Sequence, residues 1–195
     1  MKIGVLALQG DFAMHVRALA RCGAGVEVVE VRKPEQLEGL DGLVMPGGES
    51  TTLLKLMDAG DFFPALEKFH AAGKPIFGTC AGLILLARDV ESPPQRSLGF
   101  IDITAERNAY GRQKESFETE VTADLGSGPA PLKVVFIRAP RIRRMGPAVT
   151  PLVEHQGECI MARQGTVLVA AFHPELTDDD TVHRYFTGMT RSAGA

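Results

Sequence analysis

Four short apolar runs, Ile3 to Leu8, Val26 to Val31, Gly42 to Met45 and Pro75 to Gly78, are separated by longer stretches whose apolar residues recur at helical spacing. Strands that read as almost continuous apolar sequence are buried on both faces, which requires a mostly parallel sheet with helices above and below it. The chain is therefore expected to be α/β. Helices are expected over Phe12 to Cys22, ended by Gly23, over Thr51 to Met57, and over Phe62 to Ala72, ended by Gly73 and Pro75. Gly82 to Arg88 also has a helical pattern.

After the loop ESPPQRS the pattern changes to strands with polar alternation: Leu98 to Thr104, Phe117 to Thr122 and Leu132 to Ile137. Cys159 to Arg163 and Thr166 to Phe172 read as a hairpin across Gln164-Gly165, followed by a closing helix over Thr181 to Met189 and a frayed tail, RSAGA. The second half is thus more β-rich. With 195 residues, one domain spanning 1–195 is expected.

Charge narrows the partners. Lys and Arg number 21 against 24 Asp and Glu, a net of −3, so no broad positive field draws the chain to nucleic acid or an anionic membrane. No apolar run approaches the roughly 18 residues needed to span a bilayer, and MKIGVLALQGDF lacks the basic segment of a signal peptide. A cytoplasmic protein is expected. Cys22, Cys80 and Cys159 are an odd number without metal-ligand spacing, which fits individual thiols in a reducing compartment and no metal site.

Gly78-Thr79-Cys80-Ala81-Gly82 follows an apolar strand and opens an apolar helix, the G-x-C-x-G form of a nucleophile elbow. The flanking glycines let strand and helix approach where a Cβ would clash, and a helix N-terminus favours an anionic nucleophile. A small buried cysteine in a glycine-rich turn would give the same five residues, so a base must be found elsewhere. Phe172-His173-Pro174-Glu175 supplies it. Residues two apart in an extended segment share a face, so Glu175 can orient one nitrogen of His173 while the other faces a thiol. The remaining histidines lack such company: His15, His70 and His183 are expected on solvated helix faces and His155 in a strand or loop.

Pro46-Gly47-Gly48-Glu49-Ser50-Thr51-Thr52 follows the third apolar run and opens a helix, with Ser50 or Thr51 placed to cap it. Its glycines allow backbone N–H groups to gather where an oxyanion would develop. Neither a phosphate loop nor a dinucleotide fingerprint is present in the sequence. The stretches Glu106-Arg107-Asn108-Ala109-Tyr110-Gly111-Arg112-Gln113 and Phe136-Ile137-Arg138-Ala139-Pro140 carry arginines that suit the carboxylate of an amino acid, although exposed arginines in loops would give the same composition. Arg141, Arg143 and Arg144 read as solvated surface.

PGGEST, FGTCAGLILLA, ERNAYGRQ, SFE, FIRAP and FHPELT follow one another in this order. In this the chain resembles the glutaminase subunits of pyridoxal 5′-phosphate synthases, a branch of the class I, triad-type glutamine amidotransferases, over nearly its whole length. The elbow and HPE are shared across class I, whereas LALQG, ERNAYGRQ and FIRAP point to the vitamin B6 branch. The resemblance implies a flavodoxin-like three-layer fold and a triad of Cys80, His173 and Glu175. It implies glutamine contacts from Gly48, Glu49, Ser50, Arg107, Ile137 and Arg138, and an oxyanion hole framed by Gly47, Gly48 and Ala81. It further implies a synthase partner in a heteromeric complex, met near Gln9 and Gly10, and no cofactor or bound pyridoxal phosphate on this chain. A glutaminase serving another synthase, or a cysteine peptidase of similar architecture, would share the elbow.

Overall fold

The structure, a computed structural model, describes residues 1–107 and 116–194. The chain runs β1 (Lys2–Leu6), α1 (Phe12–Arg21), β2 (Glu27–Val31), a 3-10 turn (Pro34–Leu37), β3 (Gly42–Met45), α2 (Ser50–Ala59), α3 (Phe62–Ala71), β4 (Ile76–Thr79) and α4 (Ala81–Leu86). It continues through β5 (Ala87–Glu91), β6 (Ile101–Glu106), β7 (Ser116–Asp124), β8 (Pro129–Ile137), β9 (Arg141–Met145), β10 (Thr150–His155), β11 (Glu158–Gln164) and β12 (Val167–Ala170). A 3-10 turn (Pro174–Leu176) and α5 (Thr181–Ala193) complete it.

The main sheet has the order β10-β11-β12-β4-β3-β1-β2. From β12 to β2 all neighbours are parallel, while β10 and β11 add an antiparallel edge through the hairpin at Gln164-Gly165. Every residue of β3, β4 and β12 is buried, as expected for strands covered on both faces. The remaining strands form a three-stranded sheet, β5-β6-β9, and the β7–β8 hairpin.

Strand order places the site. The chain leaves β1 toward β2 on one side, whereas β3 leads to β4 on the other, so the loops after β1 and β3 diverge at the carboxyl edge of the sheet. Such a divergence is where α/β folds hold ligands. Gly82 makes the edge compact, since a Cβ there would lie 2.0 Å from the carbonyl oxygen of Met45. Any side chain would push α4 away from β3.

Two expectations need correction. The apolar pattern over Gly82 to Arg88 is helical only to Leu86; Ala87 begins β5, because parallel pairing of Val90 with Ala105 overrides the local helical period. Arg143 and Arg144 are exposed, as expected, but they lie on β9, which pairs with β6. Their guanidinium groups pair with Glu106 and Asp102 respectively. The last residues are also not a frayed tail from Arg191 onward, since α5 runs to Ala193, anchored by buried Met189 and Thr190.

Candidate active site

Cys80 joins β4 to α4 with φ 47° and ψ −101°, a combination that costs a residue bearing a Cβ on the order of 1–3 kcal/mol. The surrounding backbone holds it there. Cys80 N donates to Ala170 O on β12 at 2.9 Å, and its carbonyl accepts from Ile84 N at 3.2 Å. The sharp turn lifts the thiol above the sheet edge, with Sγ 4.0 Å from the carbonyl oxygen of Ile137.

His173 stands just beyond β12, the strand next to β4, and its backbone N–H donates to Val135 O at 2.8 Å. Its Nδ1 is 2.7 Å from Glu175 Oε1. The sequence spacing gave this contact through extended geometry, but Pro174 instead starts a 3-10 turn that carries Glu175 back beneath the ring. Burial pulls the His173 pKa down, yet the interactions with Cys80 and Glu175 outweigh it and raise the pKa to about 10. Among the described residues His173 Nε2 has no partner in full hydrogen-bond geometry, although Cys80 gives the largest upward influence. The thiol therefore interacts with the ring without a completed hydrogen bond, as resting nucleophile–base pairs commonly do. For Glu175, burial would raise the pKa, but His15 and His173 hold it below its ordinary value.

In the turn after β3, Glu49 rather than Ser50 or Thr51 caps α2. Its carboxylate accepts from Thr51 N at 3.0 Å, Thr52 N at 2.7 Å and Thr52 Oγ1 at 2.7 Å. Burial opposes ionisation, but these bonds bring the Glu49 pKa down to about 2, leaving an anion in the site. Arg107 Nη2 donates to Thr51 Oγ1 at 3.0 Å and lies 3.7 Å from Glu49 Oε1. The Ser50 hydroxyl donates to Gln95 Oε1 at 3.1 Å. From the β1–α1 loop, Gln9 Oε1 accepts from Glu49 N at 3.0 Å. Gly47 packs against the base, since a Cβ there would lie 2.5 Å from His173 Cε1.

A cavity of about 290 Å³ gathers Gln9, Gly10, Gly48, Glu49, Ser50, Cys80, Arg107, Ile137, Arg138 and His173, together with Asp11 and Ile84. Glu175 sits behind His173, and Ala81 is the buried first residue of α4. Arg138 adopts φ 44°, bending the chain at the cavity wall after β8. The rest of ERNAYGRQ after Arg107 lies outside the described residues. A larger cavity of about 580 Å³ between β7, β8 and α5 contains arginines but neither thiol nor histidine in its described lining, so the smaller one holds the chemistry. Asp11, His173 and Glu175 offer donor atoms within 4.8 Å of one another, but His173 Nδ1 is already committed to Glu175.

His15 and His183 depart from expectation, since both are fully buried rather than solvated. His70 is half-buried and stacked on Phe100, and His155 ends β10. The signal for the first two was in the sequence. His15, Ala18 and Leu19 share one stripe of α1, and His183, Phe186, Thr187 and Thr190 one stripe of α5.

A thiol on an elbow, with an imidazole–carboxylate pair on the neighbouring strand end of a doubly wound sheet, is the arrangement of an α/β cysteine hydrolase. The chain belongs to the SNO glutamine amidotransferase family, which matches residues 5–192. It is 53% identical to "Pyridoxal 5′-phosphate synthase subunit PdxT" of Geobacillus kaustophilus, covering 99% of this chain and 96% of that one. A protein of the same name from Pelotomaculum thermopropionicum is also 53% identical, over 100% and 97% of the two chains. A solved structure described as a glutamine amidotransferase superposes with a TM-score of 0.89 at 46% identity, covering 99% of each chain.

Proposed function

We propose that this chain, as one domain over 1–195, hydrolyses the side-chain amide of L-glutamine and passes the ammonia to a pyridoxal 5′-phosphate synthase subunit in a heteromeric cytoplasmic complex. The observation that carries the reading is the thiol of Cys80, raised on a strained turn beside His173, whose far nitrogen is 2.7 Å from buried Glu175. Glu49, an anion at neutral pH, and Arg107 present opposite charges to the same cavity, which suits the ammonium and carboxylate of an α-amino acid. Gly48, Ser50, Ile137 and Arg138 complete the substrate contacts.

In the first stage Cys80 passes its thiol proton to His173 and its sulfur attacks the amide carbon, and negative charge moves to oxygen. The Gly48 and Ala81 N–H groups, with Gly47 shaping the turn, receive that charge. His173 gives its proton to the departing nitrogen, the carbon–nitrogen bond breaks, and ammonia leaves a glutamyl thioester. In the second stage His173 takes a proton from water, which attacks the thioester, and glutamate departs as the proton returns to sulfur. Glu175 holds the ring orientation throughout. No step requires a cofactor.

The test is ammonia release from glutamine by the chain with the candidate synthase added. Cys80→Ala should lose at least about 1000-fold in kcat. Cys22→Ala and Cys159→Ala should retain activity, because burial pushes both of those thiols up, Cys159 to about 11. Glutamine hydrolysis by Cys80→Ala at near wild-type rate would end the triad reading.

A further inference from the structure

Behind Glu175, away from Cys80, two buried histidines from different helices meet. His15 Nδ1 lies 3.0 Å from His183 Nε2. On its other side His15 Nε2 is bonded to Thr79 Oγ1 at 3.1 Å and stands 3.3 Å from Glu175 Oε2. Oε2 is the carboxylate oxygen that His173 does not use, and among the described residues it has no donor in full hydrogen-bond geometry. An ionised carboxylate buried in this way needs a proton donor near its second oxygen.

Which ring nitrogens carry protons follows from the contacts. Burial and the neighbouring His15 push the His183 pKa down to about 3, so His183 is neutral and owns one N–H. Its Nδ1 is buried without a partner among the described residues, and a proton there would be a stranded donor. The proton therefore belongs on Nε2, donated to His15 Nδ1. His15 is also held down by burial. Glu175 and Asp11 favour its protonation, His173 opposes it, and Thr79 and the edge of Phe77 complete its surroundings. Accepting at Nδ1, neutral His15 must carry its own proton on Nε2, toward Thr79 and Glu175. The reverse tautomer would set a bare lone pair against a carboxylate at 3.3 Å.

We propose that His15 is a positioning residue for the triad, and that His183 holds it in the tautomer whose Nε2–H faces the outer oxygen of Glu175. The proposal rests on the triad reading above. The shared N–H keeps Glu175 ionised and stops its carboxylate from rolling, so that Oε1 remains on His173 Nδ1. Through Thr79, the same nitrogen also braces the residue before Cys80.

The test uses the full chain with saturating synthase partner, labelled with 15N at histidine. Ring-nitrogen shifts near neutral pH should report His15 with a protonated Nε2 and a bare Nδ1. His15→Phe should lower kcat/KM for glutamine about 10- to 100-fold with little change in KM, the scale of a lost hydrogen bond to a charged group. It should also move the acidic limb of the pH profile to higher pH, because a Glu175 deprived of its donor protonates more readily. His15→Gln, whose amide N–H can reach the same oxygen, should recover most of the rate and the limb. His183→Leu should shift the limb in the same direction by less. A bare His15 Nε2 in the wild type would overturn the proposal. So would an unshifted limb in folded His15→Phe and His183→Leu, or equal losses in Phe and Gln variants, which would indicate packing alone. If His15→Phe does not fold, the wild-type tautomer and His183→Leu decide. Cys80→Ala is run alongside: its activity would defeat the triad reading itself, whereas an inactive Cys80→Ala beside an unshifted limb defeats only the role of His15.

Discussion

The carbonyl oxygen of Gly47 accepts a hydrogen bond from the backbone N–H of Asp11 at 3.3 Å, tying the turn after β3 to the loop after β1. Gln9 grips the same turn one peptide further on, through Glu49 N. The Gly47–Gly48 peptide is thus held from both ends by the loop that carries Gln9 and Gly10. The fit is close, since a Cβ on Gly10 would lie 1.8 Å from Gly47 O.

A partner pressing on Gln9 and Gly10 therefore acts directly on the peptide proposed to serve the oxyanion. The isolated chain is expected to be a poor glutaminase and to gain about 100- to 1000-fold in kcat as synthase is titrated in, the scale of one oxyanion donor. Gln9→Ala should blunt that gain, and Gly47→Ala should abolish it by driving a methyl group into His173. Full activity without partner, or activation untouched in both variants, would defeat the switch and leave the triad standing.

Arg107 is engaged with Thr51 and Glu49 rather than with the thiol, so the role proposed for it is in binding and not in the chemical step. Arg107→Ala should raise KM for glutamine about 10-fold or more, the worth of a charge-assisted contact, with a smaller effect on kcat. Steady-state kinetics with partner present decide it. An unchanged KM would return Arg107 to a structural role in the α2 turn.

His183 makes a separate prediction about stability. Its folded-state pKa is depressed from 6.5 to about 3, so below pH 6.5 the unfolded chain binds a proton that the folded chain refuses. Its contribution is therefore fully present above pH 6.5 and is lost as pH falls toward 3. Chemical denaturation followed by circular dichroism should show a shallower loss of stability across that window in His183→Leu than in wild type. The difference in slope should approach one proton, about 1.4 kcal/mol per pH unit. Parallel curves would mean that His183 titrates normally in the folded chain.

Much of this was legible in the sequence because it depends on local chemistry. The runs at Gly42 to Met45 and Pro75 to Gly78 read as buried strands because their short, unbroken apolar composition suits only that environment. Cys80 between close glycines, and His173 two residues before Glu175, likewise name their chemistry within a few positions. Tertiary structure decided the rest. Ala87 to Glu91 became a strand because β6 lies beside it, and Glu175 met His173 through a turn rather than an extended run. The pairing of His15 with His183 joins residues 168 positions apart. Each histidine lies on its helix's buried stripe, but a stripe specifies only that a side chain points inward. What it meets there depends on how α1 and α5 pack around the carboxyl end of β4, and no local pattern encodes that distance.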